Sequence, residues 1–283
     1  VVTVRDIYAN SKAILKAKGI ENYRFEAACI IESLFKTRIN VLINSQIIVG
    51  ESQVKRLQEM LNKRIEGYPL QYILGEWEFY GLPFKLGEGV LIPRPDTETL
   101  VDYVLEFARD MTDPKIVDLC SGSGCIAIAI DKNIPNAQIH AVEVSQGAAD
   151  YLRQNIELNS SAVQLVVGDV LDTNVVDSFN ELDIIVSNPP YLTDEDFKSL
   201  QKEVSFEPKM ALYGGEEGMT FYREITEKWG RSLKTGGLLA FEIGIKQEDS
   251  VKEILEQNSF RDIDYRCDLN GIIRVVAGIK GDK

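Results

Sequence analysis

Histidine is the scarcest chemistry-bearing residue in this 283-residue sequence: there is one, His140. It lies inside an apolar run, Gln138 to Val142, and reads as a packed or edge residue of a strand. Chemistry that leans on an imidazole base is therefore set aside. Cysteine is also sparse. Cys29, Cys120, Cys125 and Cys267 form no Cys-x-x-Cys pair, and with one histidine they cannot complete a zinc set. They read as reduced, mostly buried thiols of a cytosolic protein, so the expected location is cytoplasmic. No apolar run approaches the ~18 residues of a membrane span. The start, Val1-Val2-Thr3-Val4-Arg5-Asp6, lacks the layout of a secretory signal. Low-complexity tracts and internal repeats are missing too. What remains, 45% hydrophobic and 27% charged residues, is the composition of a soluble globular protein.

The net charge of −13 is unevenly spread. Residues 1–75 hold 11 Lys/Arg against 7 Asp/Glu, and the rest hold 20 against 37. An acidic main body tracks phosphates poorly, because nucleic-acid affinity runs on Lys/Arg neutralisation. Stable nucleic-acid binding is not expected. The mildly basic first part leaves room for a limited contact with RNA or an acidic partner, or is an ordinary solvated surface.

Three helices are expected in residues 1–75. Val4, Ile7, Tyr8, Ile14 and Leu15 make a helical stripe that stops at Gly19; the run from Phe25 through Cys29 to Phe35 makes a second. A third carries Val54, Leu57, Leu61 and Ile65, with Ser52 as its N-cap. "GEWEFYGLPFKLGEGVLIPRP" then alternates and is rich in aromatic residues, which predicts a β-hairpin turning at Gly81. The organisation is a helical bundle over 1–75, a hairpin linker over 76–92 and a main domain over 93–283. From Thr97 onward helix and strand alternate. Strands are expected at 115–119, 138–142, 163–167, 183–186, 237–243, 260–266 and 272–278, with helices at 97–109, from 125, and at 148–159, 219–233 and 247–257. That alternation is the mark of an α/β doubly wound, mainly parallel sheet whose last strands are antiparallel.

Ligands of such sheets sit at the carboxyl ends of strands. The first is followed by "DLCSGSGCIAIAI", in which Gly122 and Gly124 let the backbone approach a ligand at a helix start. Gly122-x-Gly124-x-x-Ala127 also fits a dinucleotide pattern. The second strand ends at Glu143, 21 residues past Gly122; an acid there suits ribose hydroxyls. The third is followed by Gly168-Asp169, an acid placed for an adenine amino group. Together these specify an adenosine-containing ligand, either a nicotinamide dinucleotide or S-adenosylmethionine. Asp118, within the approach to the glycine loop, favours the second, since it can orient the loop or receive the ligand's amino group.

The fourth strand leaves through Asn188-Pro189-Pro190-Tyr191. Prolines end ladder pairing and stiffen the corner. The Asn188 side-chain oxygen and the Pro189 carbonyl then offer two acceptors for a planar –NH2, and Tyr191 offers a ring face for a flat substrate group. Holding both N–H bonds can turn a delocalised lone pair toward an electrophilic methyl, without a strong base. The acidic segment 192–218 is expected to border the substrate channel, to meet a basic loop of a partner, and to hinge at Gly214-Gly215.

With its glycine loop, this tetrapeptide resembles class I S-adenosylmethionine-dependent methyltransferases of planar amino groups. "LIPRPDTETLVD", "DLCSGSGCIAIAI", "AVEVS", "VVGDV", "DIIVSNPPYL", "EPKMALYGGEEGMTFYREI", "LLAFEIGIKQ" and "NGIIRVVAG" extend the resemblance over essentially the full length, to the release factor glutamine methyltransferase family. The resemblance implies a seven-stranded methyltransferase sheet and a helical domain that helps dock class 1 peptide chain release factors. It implies that Cys120, Ser121, Gly122, Ser123 and Gly124 wrap the methionine end of S-adenosylmethionine. Glu143 takes the ribose, Asp169 and Val170 lie at adenine, and Asn188 borders cofactor and substrate. Asn188, Pro189, Pro190 and Tyr191 bind the glutamine amide of Gly-Gly-Gln, with Arg94, Pro95 and Thr97 shaping the pocket mouth; no metal is implied. The products are the methylated amide and S-adenosylhomocysteine, and a monomer is expected. The family more often has Asp at Glu143 and Gly at Cys120. The competing readings are a methyltransferase of amino groups in DNA or RNA, one of a ribosomal-protein glutamine, a nicotinamide-dependent oxidoreductase, and a non-catalytic S-adenosylmethionine-binding module. "IPRPDTE" and the acidic body argue against nucleic acid, and the oxidoreductase leaves Asn-Pro-Pro-Tyr unexplained.

Overall fold

The computed structural model describes residues 1–35 and 39–282. They divide into two compact units: Val1–Glu76 with Gln201–Phe206, and Trp77–Leu200 with Glu207–Lys283.

In the first unit, helix α1 (Val4–Ala17) opens on a capping box: Thr3 accepts from the Asp6 N–H and the Asp6 carboxylate accepts from the Thr3 N–H. It buries Val4, Ile7 and Leu15, the expected stripe. Helix α2 (Tyr23–Glu32) stops short of Phe35. Helix α3 (Glu51–Ile65) begins at Gly50 rather than Ser52, because the Gln53 side chain accepts the Gly50 N–H and closes the first turn earlier. Helix α4 (Leu70–Leu74) was not anticipated; five residues are too few for a periodicity. The unit contains a buried charge. Arg64 of α3 donates to both oxygens of the buried Glu26 of α2 and to Glu203, which belongs to the short piece contributed from far along the chain.

The second unit begins with strands β1 (Glu76–Phe79) and β2 (Leu82–Lys85), paired in a sheet of their own. Tyr80 and Gly81 between them both have positive φ, 54° and 72°, as a type I′ turn demands. A 3-10 turn, Pro95–Thr97, leads into α5 (Glu98–Phe107). There follow β3 (Lys115–Leu119), α6 (Cys125–Asn133), β4 (Gln138–Glu143), α7 (Gln146–Leu158), β5 (Gln164–Val167), α8 (Thr173–Asp177) and β6 (Leu182–Ser187). After α9 (Asp194–Lys198) come α10 (Thr220–Trp229), β7 (Leu233–Glu242), α11 (Glu248–Gln257), β8 (Phe260–Cys267) and β9 (Ile273–Lys280). The large sheet runs β5-β4-β3-β6-β7-β9-β8, and β9 is antiparallel to both its neighbours. The strand order reverses between β3 and β6, and that is where a doubly wound sheet opens a crevice.

Alternation along each strand divides the core in two. Ile116, Ile184, Val186, Leu238 and Ala240 face one cluster, which receives α5 and α6. Val117, Ile185, Leu239, Phe241 and Val276 face the other, which receives α10 and α11. Trp229, fully buried there, donates its indole N–H to the Val170 carbonyl at 2.8 Å.

β7 begins four residues before the expected Gly237. Leu182 pairs with Leu233 and the register then slips, so the polar Lys234-Thr235-Gly236 stretch hides a strand start. The cysteines are free, but Cys267 is exposed and only Cys125 is buried, against the expectation of mostly buried thiols. Cys267 ends the outermost strand, β8, where one face is open. Among the described residues no helix is long and apolar enough to cross a membrane.

Removing one partner of a buried pair leaves the other charge desolvated. Arg64→Ala is therefore expected to destabilise the helical unit by about 3 kcal/mol, read as an earlier transition in urea unfolding of the full chain. Glu26→Gln combined with Arg64→Met should recover much of that loss. An unchanged midpoint in Arg64→Ala would show that the pair contributes nothing net.

Candidate active site

The carboxyl ends of β3, β4, β5 and β6 border one cavity of about 630 Å³. At the end of β3 the chain turns through Cys120, whose φ of 60° is left-handed and uncommon for a non-glycine residue. Glycine would take that conformation without strain. Gly124 (φ 81°) caps α6, and a Cβ there would lie 2.8 Å from Leu152 Cγ, so loop and helix pack only with glycine. Buried Asn155 of α7 holds the loop from below: it donates to the Ser123 carbonyl at 3.0 Å and exchanges hydrogen bonds with the Lys85 backbone.

Glu143, at the end of β4, is 7% exposed and accepts from Gly122 N at 2.8 Å and Ser145 N at 2.7 Å. It fastens the glycine loop to the next strand, and each oxygen keeps a lone pair for the cavity it borders. Asp169, beyond β5, accepts the Leu171 N–H with one oxygen and leaves the other available.

At the end of β6 the Ser187 hydroxyl donates to the Leu119 carbonyl at 2.7 Å, tying β6 to β3. Asn188 is half-buried on the cavity wall. The corner behind it is held by backbone. Tyr191 and Leu192 N–H groups both donate to the Leu212 carbonyl, and Gly214 N donates to the Leu192 carbonyl. A Cβ on Gly214 would lie 2.6 Å from the Pro190 oxygen, and one on Gly218 2.3 Å from the Tyr191 oxygen. Gly214-Gly215 is thus a site of close packing rather than the expected hinge.

Of the residues singled out in the sequence, Cys120, Ser121, Gly122 and Ser123 line the cavity, as do Glu143, Asp169, Val170 and Asn188. Pro190, Arg94 and Thr97 line it too, but Asp118, Gly124, Pro189 and Tyr191 do not. Tyr191 is turned into the second core cluster; its carbonyl accepts from Gln247 Nε2 and its ring edge lies 3.0 Å from where a Gly244 Cβ would be. Its ring face is therefore not offered to a ligand from this position. Asp118 is fully buried under the loop with its carboxylate incompletely paired, and the Ser121 hydroxyl donates to its backbone carbonyl at 2.8 Å. Burial pushes its carboxyl up to about 7, and Glu143 adds to the rise. The acids of 192–218 do not line the wall; that segment contributes Pro208, Lys209, Met210, Ala211, Tyr213 and Gly215. Glu207 instead pairs with Arg94 and accepts the Ile92 N–H at 3.0 Å, while Asp194 accepts from the Tyr213 hydroxyl.

Comparison with known proteins adds to this geometry. Residues 6–75 match the family model described as the PrmC N-terminal domain, and 97–216 match the methyltransferase small domain. A release factor glutamine methyltransferase of Fusobacterium nucleatum is 37% identical over 98% of this chain and 79% of its own length. One of Thermodesulfovibrio yellowstonii is 40% identical over 94% of this chain and 97% of its own. The chain belongs to the release factor glutamine methyltransferase family. A solved methyltransferase of Pyrococcus furiosus, 19% identical, shares the fold with a TM-score of 0.52 over 82% of this chain and all of its own.

The sequence reading missed several residues that build this family member's site. Glu242, at the end of β7, is 2% exposed. It carries the same signal as Glu143 and Asp169, an acid closing an apolar strand, one strand further on. Asn155, Glu207 and Gln247 gave no local signal, because each acts on backbone distant in sequence.

Asp118 makes stability depend on pH. Its unfolded carboxyl ionises near 3.8 and its folded one near 7, so between those values the unfolded chain sheds a proton that the folded chain keeps. The folded state loses stability as pH rises through that window. Asp118→Asn is expected to gain in melting temperature over the wild type from pH 4 to pH 8, by the equivalent of a few kcal/mol, since each tenfold change in proton affinity is worth ~1.4 kcal/mol. An equal offset at both pH values would exclude a buried, mostly protonated acid at this position.

Proposed function

We propose that the chain transfers the methyl group of S-adenosylmethionine to the side-chain amide nitrogen of the glutamine in the Gly-Gly-Gln motif of class 1 release factors. The observation that carries this reading is the convergence on one cavity of the glycine loop, Glu143, Asp169 and Asn188, in a chain of this family.

The wall suits the cofactor. Its acids, Glu143 and Asp169, each retain an acceptor site, which would serve a ribose and an adenine amino group. Cys120 to Ser123 would take the methionine end. Fully buried Asp118 would serve by supporting the loop rather than by touching the ligand. S-adenosylmethionine, when bound, supplies an electrophilic methyl whose bond to sulfur breaks, its electron pair passing to sulfur, as the amide lone pair forms the new carbon–nitrogen bond.

The chain's own part is orientation. An amide lone pair is delocalised and attacks poorly. Asn188 Oδ1 and the Pro189 carbonyl accept the two N–H bonds and set the nitrogen's lone pair toward the methyl. Pro189 is buried and does not itself line the cavity, so the role given to its carbonyl rests on the family resemblance and not on the wall. The nitrogen sheds its extra proton to water after transfer, so no side chain need act as a strong base. Pro190, Met210 and the Tyr213 ring give the glutamine stem an apolar border, and Arg94, fixed by Glu207, stands at the mouth.

The helical unit serves as the docking surface for the release factor, and the hairpin from residue 76 to 92 joins it to the catalytic domain. Leu42, Ile43 and Ile48 are 71%, 82% and 67% exposed on that unit, apolar side chains that a protein partner would cover.

Labelled S-adenosylmethionine, offered with full-length release factor, ribosomal proteins, DNA and RNA, is expected to label the release factor alone; label on another acceptor overturns the substrate assignment. Asn188→Ala should abolish transfer while keeping most cofactor affinity, and a variant that still turns over removes Asn188 from the mechanism. Replacing Leu42 and Ile43 by Ser is expected to raise KM for the full-length factor about tenfold, roughly the loss of one well-buried apolar contact. A Gly-Gly-Gln peptide should not register the change; equal effects on both substrates would rule out docking there.

A further inference from the structure

Three polar side chains run from the end of β7 to the cavity wall. Glu242 is fully enclosed, and its Oε2 has no hydrogen-bond partner. The Thr97 hydroxyl lies within hydrogen-bonding reach of its carboxylate. Thr97, itself 2% exposed, is in turn approached by Asn188 Nδ2 at 3.5 Å, a long contact of the kind that tightens when a substrate is held. Around them, Arg274 is already held between Asp96 and Asp268, so it does not neutralise Glu242 in an ion pair of its own. The Tyr222 hydroxyl lies 3.1 Å from the Glu242 main-chain carbonyl and 3.2 Å from Gln247 Oε1, so its one proton goes to one of these and not to the carboxylate.

A primary carboxamide can sit in either of two orientations related by a flip, and only one of them aims the oxygen at a substrate N–H. A hydroxyl has a single proton. If Thr97 gives that proton to Glu242, its oxygen can only accept, and the group it accepts from must be the amino side of Asn188. The carboxylate therefore decides, through one hydroxyl, which face of the Asn188 amide looks into the cavity. We infer that Glu242 and Thr97 form a positioning relay that fixes the Asn188 carboxamide with Oδ1 toward the substrate amide. This deepens the proposed function and rests on it for the identity of the substrate. Neither residue touches the reacting atoms. Thr97, expected from the sequence to shape the pocket mouth, would act through Asn188.

The relay also has an electrostatic consequence. Positive charge arrives on the substrate nitrogen during transfer, and a buried carboxylate linked through two hydrogen bonds to the group holding that nitrogen stabilises that charge from a fixed position. Burial pushes the Glu242 carboxyl up to about 7, the cost of keeping an acid where no solvent reaches it.

The test uses the full chain with full-length release factor. Thr97→Val, which keeps the volume and loses the hydroxyl, and Glu242→Gln are each expected to lower kcat by roughly 10- to 100-fold, with KM for S-adenosylmethionine within about threefold of wild type. Thr97→Ser, which restores the hydroxyl, should recover most of the loss. The double variant should be no slower than the worse single one, because a relay broken once is broken. Wild-type kcat in Thr97→Val, a Thr97→Ser variant as slow as Thr97→Val, or losses that multiply in the double variant would each overturn the relay. A second readout does not depend on turnover: the side-chain amide protons of Asn188 in selectively labelled protein. One of them should lie downfield in the wild type and move in Thr97→Val, and an unmoved pair overturns the relay. A wild-type chain that methylates no release factor would defeat the functional reading instead, and the amide resonances would still decide the relay.

Discussion

The site depends on a close approach of two backbones. The chain leaves β6 through Asn188-Pro189-Pro190, and the returning segment Leu212–Gly214 lies against it closely enough to bond Tyr191 and Leu192 from behind. Side chains cannot fit there: a single Cβ on Gly214 would sit 2.6 Å from the Pro190 oxygen. The prolines remove the donors that would have extended the ladder, and the glycines remove the bulk that would have held the second backbone away. What remains is a stiff corner whose one polar side chain at its start, Asn188, faces the cavity. The same packing turns the Tyr191 ring inward and makes it part of the core.

Around that corner the protein uses carboxylates in two different ways. Glu143 and Asp169 border the cavity and hold backbone N–H groups while keeping acceptor capacity. Asp118 and Glu242 lie under the site, fully buried and incompletely paired, with carboxyls raised to about 7. Such groups cost stability as they ionise, and a fold tolerates them where orientation of a neighbour offsets the loss. In the acidic segment after the corner, Glu207 and Asp194 are engaged with Arg94 and Tyr213. That engagement explains why charge counted along the sequence said little about charge on the wall.

Most of the fold was legible because its signals are local. Lys115–Leu119 was placed to the residue, and the hairpin turn at Gly81 follows from the positive φ that a two-residue turn needs. Errors fell where local pattern is weak: the five-residue α4 and α8, and the early start of β7, disguised by Lys234-Thr235-Gly236. The acids Glu143 and Asp169 were legible because each closes a strand. Glu242 closes one too and was passed over. Glu203 could not have been assigned to the helical unit from the sequence, because its partner Arg64 is distant along the chain.

By itself the sequence determined the α/β alternation, the glycine loop, the acids at successive strand ends and the stiff corner, since each is written in neighbouring residues whose backbone preferences act over a few bonds. Tertiary structure alone decided which of those residues reach the cavity, which way Tyr191 turns, and that Glu242 and Thr97 stand behind Asn188. Those outcomes depend on side chains brought within hydrogen-bond range by strand order, and strand order is fixed by how the two faces of the sheet are buried, not by any one segment.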